Sequence, residues 1–170
     1  MDFELGYRKP VYRFLDTNGD GTGTKNATGN YAAAATDFFI APSTGERLYL
    51  ARLIVLIEDG AAWFDSGDYG AIAGGLTNGV VPKWVRNGTT HDLTDGVPVT
   101  NNVEWAQLCY DVSLQTFGAG NSFLTVRWTF ERRGAGLVLA SPQDKFSITL
   151  NDDLTELVKH RFQVQGYVID

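Results

Sequence analysis

Apolar and polar residues alternate with a period of two along much of this chain. In the stretch from Phe123 to Glu131, Leu124, Val126, Trp128 and Phe130 fall on one face, and Thr125, Arg127, Thr129 and Glu131 on the other. Successive side chains of a strand point to opposite faces, so the pattern predicts a strand with one buried and one wet face. Residues 145–150 repeat it with Phe146, Ile148 and Leu150 inward, and residues 162–165 do so near the C-terminus. The stretch from Leu48 to Glu58 differs, being apolar on both faces for most of its length. Its β-branched residues and the flanking Gly45 and Gly60 favour a central strand over a helix. The second face of that strand is expected to lie under a loop, a helix or a neighbouring subunit.

Turn signals separate these runs. Asn87-Gly88, between residues 83–86 and 89–93, is the strongest hairpin signal. Strands and turns at this spacing predict an all-β fold, an antiparallel sandwich or barrel. Helical signal is thin, and residues 155–160 are the one short helix expected. Residues 17–37, rich in Gly, Thr, Asn and Ala, read as a long loop. A single domain spanning 1–170 is thus expected, with residues 1–36 as an extended arm and long loop within it.

Composition narrows the class. A chain of 170 residues can bury a core as one domain, and 10 Phe, 7 Tyr and 4 Trp rule out a disordered one. A net charge of −6 repels phosphate backbones, so nucleic acid is not an expected partner. The longest strongly apolar run, residues 53–57, is too short to span a bilayer, and the N-terminus does not read as a signal peptide. Cys109 is the only cysteine and reads as a small buried hydrophobe. A soluble protein made in a reducing cytoplasm is expected.

Candidate chemistry is sparse. Asp16, Asn18 and Asp20 stand at alternate positions before Gly21, the opening half of a calcium loop. The twelfth position of an EF-hand counted from Asp16 is Ala27 instead of Glu, so the EF-hand reading fails. A calcium site of another kind, or a plain tight turn, remains, and the turn is favoured because Asp, Asn and Gly are turn residues. No cofactor is otherwise expected. The two histidines have no nucleophile arranged in sequence beside them: His91 follows a hairpin, and His160 sits between Lys159 and Arg161, where cations disfavour its charged form. Asp152 with Asp153, and Asp65 with Asp68, are the carboxylate pairs a glycosidase would need, but their spacing fixes no catalytic separation. A non-enzyme is therefore expected, with a polysaccharide hydrolase as the least favoured class. Trp63, Trp84 and Trp105 lie beside glycine-rich or turn segments, as aromatics of glycan platforms and protein interfaces do.

Several segments together resemble a family. The run 11–26, VYRFLDTNGDGTGTKN, is similar to the start of small proteins encoded among the structural genes of tailed bacteriophages. Residues 52–58, Asn87-Gly88 with residues 92–96, residues 126–130, 151–154 and 164–167 extend the resemblance over nearly the whole chain. The resemblance implies a virion structural protein made in the host cytoplasm. It implies a jelly-roll β-sandwich acting as a capsid cement or decoration protein, often trimeric, whose partner is the major capsid protein or another virion protein. A tail or head-fibre domain that binds host-surface carbohydrate through Trp63, Trp84 or Trp105 is the alternative. No catalytic residue comes with the resemblance.

Overall fold

A computed structural model describes residues 8–59, 64–117, 121–130 and 136–169. Ten strands and one helix follow in the order β1 (Pro10–Phe14), β2 (Thr36–Ile40), β3 (Leu48–Asp59), β4 (Val81–Arg86), β5 (Thr89–Asp92), α1 (Asn102–Cys109), β6 (Val112–Phe117), β7 (Asn121–Thr129), β8 (Leu137–Leu139), β9 (Lys145–Leu150) and β10 (Lys159–Val168). They form two packed antiparallel sheets, the expected all-β sandwich. The larger sheet runs β1-β10-β3-β7-β6, with β8 beside β3, and the smaller runs β2-β9-β4-β5.

The alternation read from the sequence sorts the core. Phe146, Ile148 and Leu150 of β9 face Leu124 and Val126 of β7, Leu53, Val55 and Ile57 of β3, and Phe162 and Val164 of β10, all buried. On the opposite face of β3, Ile54 and Leu56 stay partly accessible. They sit between Gln163 and Arg161 of β10 and Arg127 and Thr125 of β7. A bulge at Gln165/Gly166 lets β3 keep Leu48 and Leu50 inward after Ala51 breaks the alternation. Gly166 is required there, because a Cβ would stand 1.8 Å from the Tyr49 carbonyl oxygen. Asn87 and Gly88 both have positive φ, 51° and 76°, as the two-residue turn joining β4 and β5 demands.

One local expectation is corrected. No helix forms at residues 155–160. The Asp153 carboxylate accepts hydrogen bonds from the Thr155 N–H and hydroxyl, and one turn follows. Pairing of Lys159 with Glu58 and of His160 with Ile57 then draws the chain into β10. The helix is instead α1, capped by the Asn101 side chain, which accepts from the Glu104 N–H at 2.9 Å. The Glu104 carboxylate accepts in turn from the Thr100 N–H and hydroxyl. This Asn-x-x-Glu start is a capping-box pattern and was the available signal.

Over its described residues the N-terminal segment contributes a strand and core side chains to the sandwich. Pro10–Phe14 pair with Gln163–Tyr167, and Val11, Leu15 and Ala27 are core residues. The loop after β1 is tied down by Ala27 N–H donating to the His160 carbonyl at 2.7 Å and Tyr31 N–H donating to that of Asp152 at 2.9 Å.

Candidate functional site

Asp16 is fully buried at the end of β1. Its Oδ1 accepts from the N–H groups of Asn18 and Gly19, and its Oδ2 from that of Gly23 at 2.8 Å. Gly19 has positive φ, and a Cβ on it would strike the Phe39 ring. The Asp20 carboxylate faces its own turn, accepting from the Thr22 N–H and hydroxyl, which hold its carboxyl below the usual range. Asn18 donates to Thr22 Oγ1 at 3.1 Å. The three residues therefore share one loop, and every carboxylate bond named is to that loop's own backbone or Thr22. Among the described residues no group of three or more His, Cys, Asp or Glu is arranged to hold a metal ion.

The same use of carboxylates recurs. Asp152 is buried and accepts from the N–H groups of Thr77, Asn78 and Gly79, the last at 2.8 Å. Its neighbour Asp153 caps Thr155 and accepts from the Asn30 amide at 2.8 Å. Asp144, also buried, joins Asn87 N–H to Ala140 N–H. The carboxylate of Asp65 accepts from Ser66 and that of Asp68 from Gly74. A carboxylate surrounded by aimed N–H donors is a strong acceptor that fixes loop geometry. Asp152 and Asp153 are thus joined to different loops rather than facing a common space.

His160 is fully buried in a polar chain across the core. Its Nδ1 lies 3.1 Å from the Ala27 carbonyl, which only accepts, so Nδ1 carries the proton. Nε2, 2.9 Å from the Tyr69 hydroxyl, then accepts that O–H. Loss of solvent lowers the imidazole pKa to about 4. Burial rather than the flanking cations is the main cause, which corrects the reason read from the sequence while keeping the direction. Burial pushes the Tyr69 hydroxyl far above its ordinary range, so it stays a neutral donor. His91 is exposed and lies against the Trp84 ring at 5.3 Å.

The tryptophans sort differently from expectation. Trp63 lies outside the described residues. Trp105 is fully buried on α1 and offers no face to a glycan. Trp84 is partly buried, its indole N–H donating to the Val138 carbonyl at 3.1 Å. Trp128, placed on the buried face of β7 by its alternation, is the described tryptophan that lines a cavity. The smaller sheet ends in β5, whose four residues are all exposed, so the inner face of β7 runs past its cover. Trp128 and Phe130 stay partly accessible there, their rings 5.4 Å apart.

The result is a cleft of about 690 Å³ at the open corner between the β7 end, α1 and the loop after β5. Leu93, Leu108, Tyr110, Trp128, Phe130 and Leu137 make its apolar wall, with Thr94, Asp95 and Thr129 as polar groups. A recess of about 230 Å³ beside it shares Thr94 and Leu108 and adds Val97 and Glu104. Tyr110 holds its place through a left-handed C-cap, φ 55°, that turns its side chain out to 81% exposure. The sequence signal for the cleft was an alternation that outlasts its opposing sheet, legible only once the sheet ends are known. Comparison with protein-family models, with curated proteins and with solved structures finds no match to this chain.

Proposed function

We propose that this chain is a structural protein of a tailed-phage virion, a capsid decoration or cement protein that stabilises the head by binding neighbouring capsid subunits. In this reading it works as a homo-oligomer, a trimer, by burying surface rather than by chemistry. The observation that carries the reading is the outer face of the larger sheet. Ile54 and Leu56, at the centre of the longest described strand, remain partly accessible, and on the edge strand β1 of the same sheet Phe14 is partly accessible and Tyr12 is 66% exposed. Apolar side chains in the middle of a sheet face are what a flat partner surface covers.

Two further features support it. The pairs β1–β10, β2–β9, β3–β7 and β4–β5 nest like a hairpin rolled on itself, which we read as a jelly roll. The loops are pinned by carboxylates, as suits a static part that must keep its shape outside a cell.

The test is to add the purified protein to heads lacking it, measure cosedimentation and head melting, and locate it by electron microscopy. The reading expects retention on the head and a higher melting temperature, both lost on Leu56→Lys. Absence from the head, or binding indifferent to Leu56→Lys and Ile54→Lys together, would overturn it.

A further inference from the structure

We infer that Asn87-Gly88 is a site of spontaneous covalent modification, the one of three Asn-Gly pairs in this chain that the fold leaves open to succinimide formation. The inference does not rest on the virion reading. The reaction needs only the chain and water. The Gly nitrogen attacks Cγ of the Asn side chain, the N–Cγ bond forms, the Cγ–Nδ2 bond breaks, and ammonia leaves with the proton of the Gly nitrogen. Water then opens the five-membered ring. Opening at Cγ gives aspartate, and opening at the main-chain carbonyl gives isoaspartate, whose backbone is longer by one methylene. Glycine at the second position favours the attack because no Cβ crowds the nitrogen.

Attack requires the Gly peptide to rotate until its nitrogen faces Cγ, and the three pairs differ in what that rotation breaks. Gly19 and Gly79 are buried. The Gly19 N–H donates to the buried Asp16 carboxylate, and the Gly79 N–H to the Asp152 carboxylate at 2.8 Å. Their asparagine side chains are held as well: Asn18 Nδ2 donates to Thr22 Oγ1 at 3.1 Å, and Asn78 Nδ2 to the Asn151 carbonyl at 2.9 Å. Asn87 and Gly88 are both exposed. Among the described residues, neither the Gly88 N–H nor the Asn87 side-chain amide has a hydrogen-bond partner, and open space surrounds the Cβ position of Gly88.

The product alters the hairpin. The extra methylene of isoaspartate no longer fits a two-residue turn that sets Arg86 opposite Thr89. The new carboxylate also lies one residue-length from the buried Asp144 carboxylate, which the Asn87 N–H holds at 2.9 Å. The strand that gives way is β5, exposed throughout and paired only with β4.

The test keeps the intact protein in mildly alkaline buffer and maps timed samples by mass spectrometry after digestion in mild acid. The Asn87 peptide should gain the mass of an NH2-to-OH exchange and split into aspartyl and isoaspartyl forms, at least about tenfold faster than the Asn18 and Asn78 peptides. Asp-Gly pairs isomerise without a change of mass, so the gain reports asparagine alone. In urea the three peptides should convert at similar rates. Asn87 converting no faster than the other two in the native protein overturns the inference. A tenfold gap that persists in urea overturns it too, by assigning the preference to local sequence. Converted protein, separated by its added negative charge, should exchange the amide hydrogens of residues 89–92 faster than unconverted protein, with residues 145–150 unchanged. Equal exchange at 89–92 overturns the loosening of β5.

Discussion

Acidification should unlock this fold at one residue. His160 is buried, neutral, and held between the Ala27 carbonyl and the Tyr69 hydroxyl, so it joins β10 to the loops after β1 and before β4. Its pKa falls from 6.5 to about 4 on folding. The unfolded chain therefore takes up a proton near pH 6.5, which the native protein refuses until about pH 4. The stabilisation is complete above pH 6.5, declines as pH falls through that window, and is fully lost below about pH 4. The depression corresponds to about 3 kcal/mol over the whole window, and about 2 kcal/mol of it between pH 7 and 5. Carboxylates titrate at the acid end as well, so the informative quantity is a difference. His160→Asn keeps a donor toward Ala27 and cannot titrate. At pH 7 it should cost about 1–2 kcal/mol, for the lost Tyr69 partner. Urea unfolding of both proteins at several pH values then gives two stability curves. The native curve should fall about 2 kcal/mol further than the variant's between pH 7 and 5. Parallel curves over that range would refute the assignment of a neutral, proton-refusing His160.

Other expectations follow from the same contacts. Asp152→Asn should destabilise by about 2–3 kcal/mol in denaturant unfolding, because an amide cannot replace a charged acceptor for the N–H groups of residues 77–79. Asp16→Asn should cost about 1–2 kcal/mol equally with and without millimolar calcium, read by thermal melting. A loss seen only with calcium would show that the loop holds the ion. Gly166→Ala should prevent soluble folding or cost more than about 3 kcal/mol, since backbone rather than a movable side chain occupies the Cβ position. Deleting residues 1–30 should yield an unfolded chain by circular dichroism, because β1 completes the larger sheet and Val11, Leu15 and Ala27 are core.

Much of the fold was legible because strands announce themselves by period two. The inward sets of β7 and β9, the central place of β3 and the Asn87-Gly88 hairpin all come from local pattern. The helix was misplaced for a local reason too. Within 155–160, Glu156, Leu157 and Lys159 are good helix formers, yet β10 pairing with β3 claims Lys159 and His160, while the Asn101 cap of α1 sits in a segment of low apparent periodicity. The site residues were less legible. Trp105 and Trp128 look alike in sequence, but one is enclosed on the buried side of α1 and the other lines the cleft at the end of β7.

By itself the sequence determined the all-β class, the strand faces and the turning of the Asp16 segment, because these depend on neighbours two to seven residues apart. Only the tertiary structure decided that Asp152 serves the 77–79 loop, that His160 is sealed from water, and that β7 overhangs a cleft. Each of those depends on which distant backbone comes to lie against a given side chain, with partners 73–75 residues away for Asp152 and 133 for the His160 contact with Ala27. Burial and hydrogen bonding set by such partners cannot be read from spacing along the chain.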